Sequence, residues 1–213
     1  MYKRQVQQYS AFGYGRTKVQ SVVLDAMVLF GVNTTDIARS DPTGWTSGLS
    51  VKGISGQDAL ASVGMSYPVV LSDITFTPYA RATWQYQARA SSNEGASPAA
   101  LTVDRYSGGG ARAVIGLQAG SNKANPMQDQ YTYRLNLAVG ADTPGLANPS
   151  VGTSLAGYSG SVSASQVGSL FVQTAMYGTA RLNDGTYGYA GISVEARRGQ
   201  IVAGGTLGIK IEF

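Results

Sequence analysis

The stretch ITFTPYARATWQY, residues 74–86, alternates between apolar and polar positions along its whole length. A period of two residues is typical of a β-strand with one apolar and one polar face. Strands of soluble domains usually have about five or six residues, whereas a tilted strand needs about 9–11 residues to cross a bilayer. The length therefore favours a membrane-crossing strand. One face carries Ile74, Phe76, Pro78, Ala80, Ala82, Trp84 and Tyr86, and the other carries Thr75, Thr77, Tyr79, Arg81, Thr83 and Gln85.

The same alternation recurs along the chain and predicts about ten strands. Aromatic residues stand at or near the ends of the apolar faces, where the aromatic girdles of a membrane protein lie. We therefore predict an all-β fold, a transmembrane antiparallel up-and-down β-barrel, formed by one domain that spans residues 1–213. The predicted strands cover residues 7–14, 19–33, 45–54, 57–67, 73–88, 108–120, 129–141, 168–182, 186–197 and 200–213. The aromatic residues are Tyr67, Trp84, Tyr86, Tyr131 and Phe213.

The composition excludes several classes of function. The 213 residues include no Cys and no His, so there is no disulfide, no thiolate metal site and no His base. Charged residues make up only 13%, and the net charge of +4 is scattered, which argues against nucleic-acid binding. No metal or cofactor site is expected. Asp25, Asp58, Glu195 and Lys210 could in principle carry chemistry, but we interpret them as lumenal charges solvated by water, with the carboxylates paired with arginines.

The connections between the predicted strands differ in length, which suggests an orientation. Outer-membrane barrels have short periplasmic turns and longer outer loops. If Phe213 is periplasmic, residues 68–72, 121–128 and 183–185 are periplasmic turns, and the long connections 89–107 and 142–167 lie outside. The latter are rich in Ser, Gly, Ala, Asn and Pro, as expected of exposed loops. Two exceptions remain: the long connection 34–44 falls on the periplasmic side, and Arg198-Gly199 forms a tight outer turn.

The polar faces of the predicted strands carry charged residues at regular positions. Such charges would be costly in a dry core but are ordinary in a water-filled lumen. We predict that they line the lumen, where they could hold an internal helix or stiffen the barrel through mutual ion pairs. The candidate lumen-lining residues are Asp25, Arg81, Arg112, Arg134, Arg181, Glu195 and Lys210.

The chain closes with GGTLGIKIEF, residues 204–213, which alternates up to its aromatic last residue. Its apolar side is predicted to face lipid. A final strand that ends in Phe resembles the signal that outer-membrane barrels present to their assembly machinery. The candidate signal residues are Leu207, Ile209, Ile211 and Phe213.

Five stretches together resemble the translocator β-domain of autotransporters, the type V secretion proteins. The resemblance spans most of the chain, and the order and spacing of these loose motifs make it specific. The matching stretches are VVLDAMVLFGVNTTDIAR (22–39), FTPYARATWQYQ (76–87), YSGGGARAVIGLQAG (106–120), TARLNDGTYGYAGISVEAR (179–197) and GGTLGIKIEF (204–213).

The resemblance implies a bacterial outer-membrane domain that exports an upstream passenger to the cell surface through a non-catalytic pore. The family's barrel has twelve strands, and a helix runs through its lumen to the passenger. With about ten strands counted, we expect two strands, the helix, the passenger and a signal peptide upstream, and Met1–Gln5 need not be native. The implied partners are outer-membrane lipid, the barrel assembly machinery, the passenger and its linker helix. Neither a nucleic acid nor a cofactor is implied.

Two other functions remain open at this point. A free-standing outer-membrane channel would need its own signal peptide and a barrel that this chain closes alone. A soluble β-sandwich used for adhesion would need a second sheet to keep its apolar faces dry. Neither the identity of the passenger nor its cleavage can be derived from the barrel sequence.

Overall fold

The computed structural model describes residues 2–39, 49–95, 97, 99–121, 131–155, 158–163 and 167–211, and almost all of them lie in antiparallel strands. One short helix, α1, covers Pro144–Ala147. Among the described residues, no helix has the length and apolar character needed to span a membrane. The strands are β1 (Tyr2–Val19), β2 (Val22–Arg39), β3 (Leu49–Ser66), β4 (Val69–Leu71), β5 (Ile74–Arg89), β6 (Ser92–Asn93), β7 (Leu101–Val103), β8 (Tyr106–Ser121), β9 (Tyr131–Asp142), β10 (Ser150–Leu155), β11 (Tyr158–Ser163), β12 (Leu170–Asn183), β13 (Thr186–Arg197) and β14 (Gln200–Ile211).

The long strands form one curled sheet in the order β1-β2-β3-β5-β8-β9-β12-β13-β14. Short β4 pairs with the start of β5 and brings the sheet to ten strands. Each long strand pairs antiparallel with its neighbour in sequence, which is the up-and-down order that the alternation predicts. Within the described residues, β1 and β14 each pair with one neighbour only, so they form the two edges of a half-barrel.

The two faces of the sheet differ in exposure because the sheet curls. Along β2, Val23 and Thr35 are buried, while Leu24 and Val28 between them are exposed. The less exposed positions face the inside of the curl, which we call the concave face, and the exposed positions form the convex face. The paired registers carry this assignment from β2 across the sheet to every long strand.

The strands are staggered by about the amount that a transmembrane barrel requires. One row of directly opposed residues runs from Arg16 on β1 to Gln200 on β14. Arg16 is three residues from the end of β1 at Val19, whereas Gln200 is eleven residues from the end of β14 at Ile211. If these two strand ends lie at the same height, the strands are staggered by eight residues over eight strand steps. A rise of ~3.3 Å per residue and a distance of ~4.8 Å between neighbouring strands then give a strand tilt of roughly 35°. Outer-membrane strands tilt by about 35–45°.

The predicted strands 45–54 and 57–67 meet in one strand, β3 (Leu49–Ser66), so this division was wrong; residues 45–48 lie outside the described residues. Asp36 of β2 stands opposite both Lys52 and Gly53, which makes a β-bulge. Gly53 has a φ of 71°, and its N–H donates to Asp36 Oδ1 at 2.7 Å. A bulge shifts the alternation by one residue, and the sequence pattern therefore looks like the end of one strand and the start of another.

The correction to β3 also removes one of the two exceptions in loop length. The strand ends next to residues 40–48, 90–105, 143–169 and 198–199 all lie at one end of the sheet, which we call the loop end. Residues 20–21, 67–73, 122–130 and 184–185 join strands at the other end, the turn end. The bounds 34–44 were wrong, because residues 34–39 belong to β2, and the connection that follows, residues 40–48, joins strands at the same end as the other long connections. Arg198-Gly199 remains a tight turn at the loop end.

The two longest connections were expected to be exposed loops, but they pair with each other. β6, β7, β10 and β11 form a four-stranded sheet in the order β11-β10-β7-β6, which we call the cap. A cavity of about 490 Å³ separates the cap from the loop end of the concave face and is lined by Arg4, Asp58, Arg89 and Asp104, among others. The cap therefore stands over one mouth of the curled sheet.

Candidate functional site

The convex face carries a continuous apolar belt that no other part of the described structure covers. Its central side chains are half or more exposed: Ile115 62%, Leu137 60% and Ile192 62%. A soluble sandwich would bury such a surface against a second sheet, and the cap does not do so. The belt is suited to lipid instead. It comprises Leu24, Val28, Phe30, Val63, Met65, Ile115, Leu117, Leu135, Leu137, Val139, Val172, Met176, Ile192, Ile201, Leu207 and Ile209.

Aromatic residues border the belt on both sides. Trp84 and Tyr86 lie toward the loop end of β5 and stack at 6.1 Å between ring centroids. Tyr131 begins β9 at the turn end and is 69% exposed, and Tyr67 follows β3 at the same end. Amphipathic rings at these two heights fit the two interfaces of a bilayer. Phe213 lies outside the described residues.

The seven charged residues singled out in the sequence all lie on the concave face, at positions fixed by the strand registers. The structure brings some of them together. Arg81 on β5 donates to Asp25 on β2 at 2.6 Å, across the intervening strand β3. Gly64 lies between them on β3, and a Cβ there would come within 2.7 Å of the Asp25 carboxylate. Glycine at this position therefore leaves room for the ion pair.

Arg112 and Glu195 meet in a larger network at the loop end. The Arg112 guanidinium donates to both Asp142 oxygens, at 2.7 and 2.8 Å, and to Glu195 at 3.1 Å. Arg197 donates to Asp142 at 2.9 Å and also binds Glu195. The Asp142 and Arg197 side chains are only 3% and 6% exposed. We call these four residues, together with Phe171, the loop-end cluster.

Phe171 lies at the centre of the loop-end cluster and is 3% exposed. Its ring stacks against the Arg112 guanidinium at 4.4 Å and the Arg197 guanidinium at 5.0 Å. Cation–π contacts of this kind strengthen when the cation is withdrawn from water. The cluster therefore joins β8, β9, β12 and β13 across the concave face. Sequence reasoning missed Asp142, Phe171 and Arg197, because only the register shows that they are neighbours.

Gly140 makes room for Phe171, and this predicts a sensitive position. A Cβ on Gly140 would collide with the Phe171 ring and would stand 2.7 Å from the backbone oxygen of Ala113. Replacing Gly140 by alanine should therefore reduce the free energy of unfolding by about 1–3 kcal/mol, as overpacking does. Chemical unfolding of the protein in lipid vesicles measures this. Gly15→Ala is the control, because nothing lies within 4 Å of its Cβ; an equal loss in both variants would contradict the packing argument.

The other predicted lumen residues cluster near the turn end rather than in the ion-pair network. Arg181 pairs with Asp184 of the following turn, whose side chain is 98% exposed. Arg134 is exposed and forms no ion pair with a described carboxylate. Lys210 lies opposite Tyr187. These three cations all lie at the turn-end mouth of the concave face.

Three of the four predicted assembly-signal residues lie on the convex face of the edge strand β14; the fourth, Phe213, is not among the described residues. Leu207 is 86%, Ile209 66% and Ile211 56% exposed. The two ladder edges of β14 differ, because one is paired with β13 and the other has no described partner. The strand thus presents an apolar stripe next to an open edge.

The cap is fastened to the wall of the sheet by Glu94, a contact that the sequence pattern did not indicate. The Glu94 side chain is 7% exposed and pairs with Arg39 at the loop end of β2. Glu94 also accepts from the N–H of Leu101 at 2.9 Å, and Arg39 donates to the carbonyl oxygen of Ala99 at 2.9 Å. One ion pair therefore anchors the loop that contains β6 and β7.

The three carboxylates considered for catalysis have other bonding partners. Asp25 and Glu195 bind arginines as predicted, whereas Asp58 does not pair with a described arginine and instead accepts from the Asn33 amide at 3.0 Å. The described residues contain no group of three His, Cys, Asp or Glu side chains that could hold a metal ion.

Comparison with known proteins agrees with this geometry. Residues 2–193 match the family model described as "Autotransporter beta-domain". The translocator domain of autotransporter NalP from Neisseria meningitidis has a similar structure, with a TM-score of 0.63 and 16% sequence identity. The alignment covers 100% of this chain and 68% of that chain. At this identity the likeness shows the fold alone. No curated protein is similar enough in sequence to count as a match.

Proposed function

Because the chain belongs to the autotransporter β-domain family and is an outer-membrane translocator domain, we propose that it exports an upstream passenger to the cell surface. The passenger would leave the cell at the loop end, because long connections face outward in outer-membrane barrels. In this role the domain acts as an anchor and a pore, catalyses no reaction and uses no cofactor.

The observation that supports this proposal is that the two faces of the sheet differ in polarity. The convex face has the apolar belt and its aromatic borders, which suit lipid. The concave face has a row of charged and polar side chains, which suits a hydrated path. A polypeptide in transit can exchange hydrogen bonds with water and with this surface, whereas it could not cross the bare bilayer.

Two further parts of the proposal concern the edges. In the described part of the chain, β1 and β14 each leave one edge unpaired, and unpaired backbone groups are costly in lipid, so additional strands of the same protein should complete the wall. The stripe of Leu207, Ile209 and Ile211, with Phe213 after it, is proposed to be recognised by the barrel assembly machinery. Its exposure beside an open strand edge supports this assignment.

Export is tested with the complete gene that contains this chain and the reading frame ahead of it. In intact Gram-negative cells, an external protease should digest the upstream polypeptide, while the β-domain remains in the outer-membrane fraction. Cells lacking the coding region for residues 170–211 provide the control and should keep that polypeptide inside. An upstream polypeptide that stays protected, or the absence of any passenger, would contradict export and favour a stand-alone channel.

A further inference from the structure

The cations of this chain are concentrated on the concave face. Eleven of the 15 Lys and Arg residues that the structure describes lie there, compared with four carboxylates on the concave face of the same strands. Exclusion from lipid explains why charges avoid the convex face, but it does not explain why one sign dominates. The cations are Arg4, Arg16, Lys18, Arg39, Arg81, Arg89, Arg112, Arg134, Arg181, Arg197 and Lys210; the carboxylates are Asp25, Asp58, Asp142 and Glu195.

The imbalance is located at the turn end. Near the loop end, Arg112 and Arg197 are matched by Asp142 and Glu195, and Arg39 is matched by Glu94 of the cap. Arg4 and Arg89 form no ion pair with a described carboxylate there, but they share the cavity beneath the cap with the carboxylates of Asp58 and Asp104. Near the turn end, five cations on the concave face lie within three residues of their strand ends, and we call them the turn-end cations. They are Arg16, Lys18, Arg134, Arg181 and Lys210.

Among the residues that the structure describes, few carboxylates lie near the turn-end cations. Asp25 is already paired with Arg81, and Asp184 pairs with Arg181 from the exposed turn. Asp73 lies in another turn and is exposed. In the part of the chain that the structure describes, no carboxylate forms an ion pair with Arg16, Lys18 or Arg134.

We propose that the turn-end cations bind an acidic segment of the exported polypeptide as it enters the lumen. This inference rests on the proposed function, because export is what brings a polypeptide to this mouth. The cations belong to β1, β9, β12 and β14, and β9 is three strand steps, roughly 15 Å, from β14. A small anion contacts one or two such groups, whereas an extended acidic segment reaches several of them. A mouth lined by one sign of charge also raises the local concentration of the opposite sign.

The first test is binding of a labelled deca-glutamate peptide to the full 213-residue chain refolded in zwitterionic detergent, with a deca-lysine peptide for comparison. We expect the glutamate peptide to bind at low ionic strength and to dissociate as salt is added, because exposed charges are screened. The lysine peptide should not bind. Equal binding of both peptides would overturn the proposal.

Matched variants locate the binding surface. The triple variant R16Q/K18Q/R134Q should weaken glutamate-peptide binding by on the order of tenfold, since it removes three of the five cations. The triple variant K3Q/K52Q/R198Q loses the same charge from exposed cations outside the concave face and should bind within about twofold of the parent chain. Equal weakening by the two triples would show that net charge alone attracts the peptide and would overturn the proposal.

A second measurement applies if the chain does not refold in detergent. A photo-reactive residue at position 134 of the complete protein, in outer membranes, should crosslink to a passenger segment rich in Asp and Glu. Crosslinks to a neutral or basic segment, or none, would overturn the inference. The peptide assay requires no export, so retained peptide binding in a protein that fails to export contradicts the proposed function alone.

Discussion

Replacement of Asp142 by asparagine should lower the free energy of unfolding by about 3 kcal/mol, because it breaks a buried ion pair while its partners remain. Asp142 accepts three hydrogen bonds from Arg112 and Arg197, and its side chain is 3% exposed. The asparagine keeps the volume but loses the charge and one acceptor oxygen. Arg197, at 6% exposed, would then have Glu195 as its one remaining charged partner among the described residues. This loss of unfolding free energy is at the lower end of the range for broken buried ion pairs, because the Arg112 side chain is 31% exposed and water can solvate it.

Unfolding in guanidinium, with the protein in lipid vesicles, measures this loss. Asp184→Asn is the matched control, because it makes the same change in an ion pair whose carboxylate is 98% exposed. Exposed pairs contribute about 0–1 kcal/mol, so the control should be almost neutral. If the two variants lose the same stability, the loop-end cluster does not hold the four strands together.

The second large effect is expected at the centre of the apolar belt. Ile115 lies near the middle of β8 on the convex face and is 62% exposed. Arginine there would be placed in hydrocarbon, and charges at the midplane of a barrel wall cost about 2–4 kcal/mol. We therefore expect I115R to lower the unfolding free energy by that amount in vesicles and to reduce the folded fraction in outer membranes.

Gln118→Arg provides the comparison within the same strand. Gln118 is three residues further along β8 and faces the concave side, where a guanidinium remains hydrated. Q118R should change the unfolding free energy by less than about 1 kcal/mol. The opposite ranking, with Q118R the more damaging variant, would mean that lipid does not cover the convex face.

The strands and their faces were predictable because apolar and polar residues alternate along the sequence with a period of two, and this alternation depends on local residues only. Arg81 and Arg112, for example, alternate with apolar neighbours, so each is predicted to lie on the polar face of its strand. The loop-end cluster was not predictable, because strand alternation does not reveal which residues of distant strands become opposed. Phe171 looks like an ordinary apolar position until the register places it between two guanidiniums.

The cap and the bulge escaped prediction for different physical reasons. The cap strands have two to six residues, many of them Ser or Gly, so hydrophobic alternation is too short to detect. Their pairing comes from the closeness of two connections that the large sheet brings to one end. In β3, the extra residue at Gly53 exchanges the apolar and polar positions of the alternation. A strand predicted from uninterrupted alternation therefore ends at the bulge, and a second strand is predicted after it.

The directions of the two edge strands limit how this sheet can close. β1 and β14 both run from the loop end to the turn end. A seam made directly between them would be a parallel ladder in a sheet whose other ladders are antiparallel, and its hydrogen bonds would have to slant across the joint. Antiparallel seams on both sides require an odd number of intervening strands. A twelve-stranded barrel would therefore add three strands to the nine long ones, rather than the two expected from a count of ten, and its closure would involve two seams.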